Sequence, residues 1–84
     1  MAARLPKKID FGIAVIHIHQ ITPAAMRELI DAEFGEPTPD GCWDSDTDGI
    51  YLLKKLSLKR KREVLFHELV HAAVDNQYWA KHLG

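Results

Sequence analysis

Val64-Leu65-Phe66-His67-Glu68-Leu69-Val70-His71-Ala72-Ala73 is the stretch on which the reading of this chain turns. It is apolar on both sides of a charged centre, and no proline or glycine interrupts it. It therefore reads as the middle of a helix that Ser57 caps and that runs to about Tyr78 or beyond. Residues four apart on a helix share a face. His67 and His71 thus present two imidazoles one turn apart, which suits two corners of a tetrahedral zinc site. Glu68 is turned from His67 by about 100°. Its carboxylate is expected to reach a water in the open coordination position without itself being a ligand. In such a site the metal lowers the pKa of the water and polarises a carbonyl. The carboxylate takes the proton and returns it to the leaving amine.

Upstream, Ile9 to Ile21 alternates Phe11, Ile13, Val15, His17 and His19 with Gly12, Ala14, Ile16, Ile18 and Gln20. This is rich in β-branched residues and predicts one strand with both faces partly covered. Thr22-Pro23 is a helix start, with a cap followed by proline at the first helical position. The helix is predicted over about Ala24 to Phe34, stopped by Gly35 and followed by a loop containing Pro37 and Pro39. Gly41 to Asp44 is a short second strand, Asp48-Gly49 a hairpin-type turn, and Ile50 to Leu53 a third strand. The expected fold is α+β in the order β-α-β-β-α: a three-stranded sheet packed on two helices, with residues 1–84 forming one domain.

The quoted stretch carries the HExxH pattern and resembles the zincin metallopeptidases. Val64, Leu65, Phe66, Leu69, Val70, Ala72 and Ala73 also fit the uncharged flanks of the longer zincin pattern. With Gly41-Cys42-Trp43, Ile50-Tyr51-Leu52 and a basic helix start before it, residues 41–76 are similar to the compact ImmA/IrrE-like and phage-encoded zincins. The resemblance implies a zinc peptidase in which an edge strand before the active-site helix binds extended peptide. On this chain the implied roles are His67 and His71 as zinc ligands, Glu68 as general base, and Ile50–Leu53 as the substrate-binding strand.

The third ligand is the open point. A metzincin would have glycine at position 74 and histidine at 77, where this chain has Val74 and Gln77. Asp75 is the only carboxylate after the motif and is the leading candidate. On a straight helix its Cα lies about 6 Å beyond that of His71, so it reaches a shared metal only if the helix bends or ends near Val74. His82, the His17/His19 pair, solvent and a neighbouring subunit are the alternatives.

Other signals carry less. Asp44-Ser45-Asp46-Thr47-Asp48-Gly49 opens like a calcium-binding EF-hand loop, but the twelfth position is Lys55 and the flanks read as strands, so it is an acidic turn. Lys59-Arg60-Lys61-Arg62 reads as a solvated helix face. Trp43, Tyr51, Tyr78 and Trp79 read as core or rim aromatics. Tyr78 falls on the His67/His71 face of an unbroken helix, where it could steady a tetrahedral intermediate.

Composition bounds the rest. The 84 residues are 46% hydrophobic and 27% charged, as in ordinary globular domains. Eleven basic against twelve acidic residues give a net charge of −1. That balance offers no general attraction to nucleic acid or to an anionic membrane. Cys42 is the single cysteine, which fits a reducing, cytoplasmic setting. Phe11 to Ile18 is too short to span a membrane, and Asp10, His17 and His19 argue against a signal peptide. The expectation is a Zn2+-dependent hydrolase acting on a protein or peptide substrate. The alternative is a non-catalytic zinc-stabilised interaction module, and a third reading is a nucleic-acid-associated protein using residues 54–62.

Overall fold

The computed structural model describes residues 4–83, which fold as a four-stranded mixed sheet with three helices. The elements are β1 (Lys8–Asp10), β2 (Val15–Ile21), α1 (Pro23–Leu29), β3 (Gly41–Asp44), β4 (Gly49–Leu53), α2 (Leu58–Ala73) and α3 (Asn76–Leu83). The α+β class and the order of the central elements agree with the expectation. The counts of three strands and two helices do not, and each extra element comes from one local break.

The expected strand over Ile9–Ile21 is two strands. Asp10 Oδ1 accepts the Gly12 N–H at 2.7 Å, and Phe11 N donates to Ala14 O at 2.9 Å, with Gly12 at φ 84°. A side chain that offers the backbone a local acceptor turns the chain, and glycine takes the left-handed conformation at little cost. β1 therefore folds back antiparallel on β2, with Ile9 opposite Ile16.

The single helix expected from Ser57 to Tyr78 is likewise two. Ser57 Oγ accepts the Arg60 N–H at 3.1 Å and starts α2 as expected. α2 stops at Ala73, with Val74 as its cap residue. Asp75 Oδ1 then accepts the Tyr78 N–H at 3.1 Å, the bond of a residue capping a new helix. The indole Nε1 of Trp79 donates to Ala72 O at 2.8 Å, giving a partner to a carbonyl at the end of α2. α1 is also shorter than expected. After Leu29 the chain passes through Asp31 at φ 54°, and the Arg27 guanidinium gathers the carbonyls of Glu33 and Glu36 into a loop.

The sheet order is β1-β2-β4-β3, with β2 and β4 parallel and the other pairs antiparallel. Alternation along the strands separates two faces. Ile16 and Ile18 of β2 and Ile50 and Leu52 of β4 pack with Val64, Leu65 and Ala72 of α2 to form the core. On the opposite face α1 reaches β4, and Met26 and Leu53 are buried. Among the described residues no helix is long and apolar enough to cross a membrane.

Candidate metal centre

α2 buries Val64, Leu65, Glu68 and Ala72 against the sheet, a stripe spaced at one turn and a fraction. That stripe fixes the rotation of the helix and leaves His67 and His71 exposed beside it. Their Nε2 atoms stand 3.0 Å apart, with the rings edge-on at an interplanar angle of 80°. Two imidazole nitrogens on a tetrahedral zinc at about 2.05 Å would be about 3.3 Å apart. The pair therefore fits two positions of such a centre with little movement.

Glu68 follows the first histidine and turns toward the sheet. It is 8% exposed, and among the described residues it is the one buried charged group. Its neighbour across the interface is Gly41. A Cβ at position 41 would collide with Val64 Cγ1 and lie 3.3 Å from Glu68 Cγ, so only glycine lets β3 approach α2 this closely. Between β3 and the first turns of α2 runs a groove of about 470 Å³ lined by Asp40, Gly41, Arg60, Glu63, His67 and Glu68, among others. The carboxylate of Glu68 is felt as far as Cys42. Burial, then Glu68, then Asp44 raise the pKa of that thiol above its ordinary value.

Asp75 lies elsewhere. Its Oδ2 accepts the Trp43 indole N–H at 3.0 Å and its Oδ1 caps α3. The bonds from Trp43 and Tyr78 hold its carboxyl below the usual carboxylate range. The helix does end near Val74, but the turn carries Asp75 toward β3 and α3. His82 is also remote: its Nε2 is 3.6 Å from Asp48 Oδ1 at the β3–β4 turn. His17 and His19 alternate with Ile16 and Ile18, so they face away from α2, and His19 stacks on Tyr51 at 4.8 Å. Among the described residues no third histidine, cysteine, aspartate or glutamate joins His67 and His71.

Two expectations about the surroundings need correction. Tyr78 is not on the His67/His71 face, because the break at Asp75 moves it onto α3. There it is buried edge-on against Trp43 at 4.9 Å, and burial together with the nearby Asp48 carboxylate pushes its phenol up to about 12. Ile50–Leu53 is not an edge strand, because β4 is paired on both sides. The edge beside α2 is β3. Leu53 N donates to Asp40 O, which makes Asp40–Leu53 and then Cys42–Tyr51 the hydrogen-bonded pairs of the ladder. The backbone groups of Gly41 and Trp43 consequently point outward, those of Gly41 beside the groove.

Sequence reading also missed the groove's charged wall. Arg60 binds Asp40, twenty residues earlier, and Lys61 Nζ donates to Gln20 Oε1 at 2.7 Å, so the basic run is partly engaged by the sheet. The Glu63–His67 spacing of four was the available signal for Glu63. The Asp44–Asp48 segment is the expected acidic turn, with Asp44 Oδ1 accepting the Asp46 N–H and Thr47 Oγ1 donating to Asp44 Oδ2.

Compared with protein-family models, curated proteins and solved structures, the chain matches none.

Proposed function

We propose that this protein is a zinc-dependent hydrolase that cleaves peptide bonds. The observation that carries the reading is the convergence of His67 Nε2 and His71 Nε2 to 3.0 Å, with Glu68 on the next residue facing an adjoining groove. Zinc held there would supply Lewis acidity for a carbonyl and for a water. The chain's own residues do the rest. His67 and His71 would hold the ion from one face of α2. Glu68, packed beside Gly41, accepts a proton from the attacking water and delivers it to the departing amine. The free edge of β3 takes an extended peptide through the outward backbone groups of Gly41 and Trp43, laying its bonds across the groove.

Asp75 joins the two histidines only by releasing Trp43 and the α3 N-terminus, so those two bonds oppose its use as a ligand. A reducing, cytoplasmic setting belongs to the same proposal, supported by the single thiol at Cys42. The reading is tested by zinc content and peptide hydrolysis measured together on the same protein. Zinc without hydrolysis would favour a metal-stapled interaction module.

A further inference from the structure

The groove between β3 and α2 has an unbalanced charge. Its one cation is already engaged: Arg60 donates from Nε at 3.1 Å and from a terminal nitrogen at 2.9 Å, both to Asp40 Oδ2. Two carboxylates on the helix side, Glu63 and Glu68, have no ion-pair or hydrogen-bond partner among the described residues. Glu68 is more than nine-tenths buried, and its oxygens are not sealed off in the core, since the side chain lines the groove. A carboxylate removed that far from water calls for a donor or a cation from whatever fills the space. Glu63 is exposed at the mouth, one helical turn before His67. Pro39 and Val64 line the wall between and offer contact to an aliphatic stem.

We propose that this groove is a subsite for a lysine or arginine side chain of the bound peptide, with Glu63 as its counter-charge. The stem lies along Pro39 and Val64, the cationic head meets Glu63 at the mouth, and the peptide backbone runs on the β3 edge. Glu68, deeper in the same groove, adds to the negative field that draws the cation in, and the cation in turn offsets its uncompensated charge. The proposal rests on the site being a peptide-binding one. It does not require that the peptide be cut.

The test is a titration with three blocked pentapeptides, acetyl-Ala-Ala-Xaa-Ala-Ala-amide, in which Xaa is Lys, Gln or Glu. Binding to the purified protein is followed by the amide shifts of Gly41, Glu63 and Val64, with and without EDTA. The lysine peptide should bind about three- to tenfold more tightly than the glutamine peptide, and the glutamate peptide most weakly. Glu63→Gln should erase the difference and Glu63→Lys should reverse it. Raising the salt from about 0.05 to about 0.5 M should shrink the preference in the unaltered protein, a check that needs no variant. Equal binding of all three peptides, no binding at millimolar concentration, or a lysine preference that survives Glu63→Gln would overturn the proposal. Lysine preference in a protein with neither zinc nor hydrolysis would leave the subsite and remove the peptidase. Zinc and hydrolysis without lysine preference would remove the subsite alone.

Discussion

The indole nitrogen of Trp43, on the edge strand, donates a 3.0 Å hydrogen bond to Asp75 at the joint between α2 and α3. The same carboxylate caps α3 through Tyr78 N, so one side chain holds the edge strand, the end of the histidine-bearing helix and the start of the last helix together.

Asp75→Ala should therefore lower the melting temperature and loosen α3, and Asp75→Asn should do so less, because asparagine still caps. The bonds to Trp43 and Tyr78 depress the Asp75 pKa in the folded protein. Their stabilisation is present above the unfolded value of about 3.9 and is lost as pH falls through the lower folded value. Chemical denaturation between neutral and acid pH should show an acid-dependent loss that Asp75→Ala diminishes. An acid profile unchanged by Asp75→Ala would contradict this assignment.

Gly41→Ala should destabilise the fold by about 1–3 kcal/mol, since the added methyl meets Val64 Cγ1 across a tight interface. Pairing it with Val64→Ala should cost less than the sum of the two single changes, because the second creates room for the first. Additive losses in urea melts would mean that the β3–α2 contact is looser than described.

Tyr78 should ionise late. Burial and the Asp48 carboxylate put its pKa at about 12, against about 10 for a free phenol. Because the folded value is raised, its contribution to stability is intact below pH about 10 and declines as pH rises toward 12. Tyrosinate absorbance followed during alkaline titration should show a late component that disappears in Tyr78→Phe. A spectrum in which Tyr78→Phe removes an ordinary titration instead would refute the buried placement.

Glu68→Gln separates the enzyme from a metal-stapled module. Glutamine is close to isosteric but cannot accept the proton of the attacking water. Zinc content and melting temperature should persist, while peptide hydrolysis falls by about 10²–10⁴-fold. Zinc-dependent hydrolysis that survives this substitution undiminished would rule out the proton-transfer role.

Local signals made much of this architecture legible from the sequence. Gly41–Asp44 lies where its turn residues predict it, Thr22 and Ser57 cap the helices they precede, and the HExxH spacing brings His67 and His71 together. The errors in the number of elements share one cause, side chains that redirect the backbone over a few residues. The alternation from Ile9 to Ile21 hides the turn that Asp10 and Gly12 make, and the helical pattern running up to Val74 masks the capping signal that Asp75 itself carries. Which strand is the edge depends on pairing between β2 and β4, thirty-two positions apart in sequence, so Ile50–Leu53 could be read as a strand but not as an inner one. Asp75 illustrates the limit for the site: its spacing from His71 was visible, while Trp43, its partner, lies thirty-two positions away.

The most direct test is zinc stoichiometry by elemental analysis of the purified protein beside His67→Ala and His71→Ala. About one zinc per chain is expected in the unaltered protein, bound through the converging Nε2 pair, with loss of stoichiometric zinc in either variant. Full zinc retained at equal affinity in either variant, or no zinc taken up by a folded unaltered protein supplied with it, would mean that His67 and His71 do not form a zinc site.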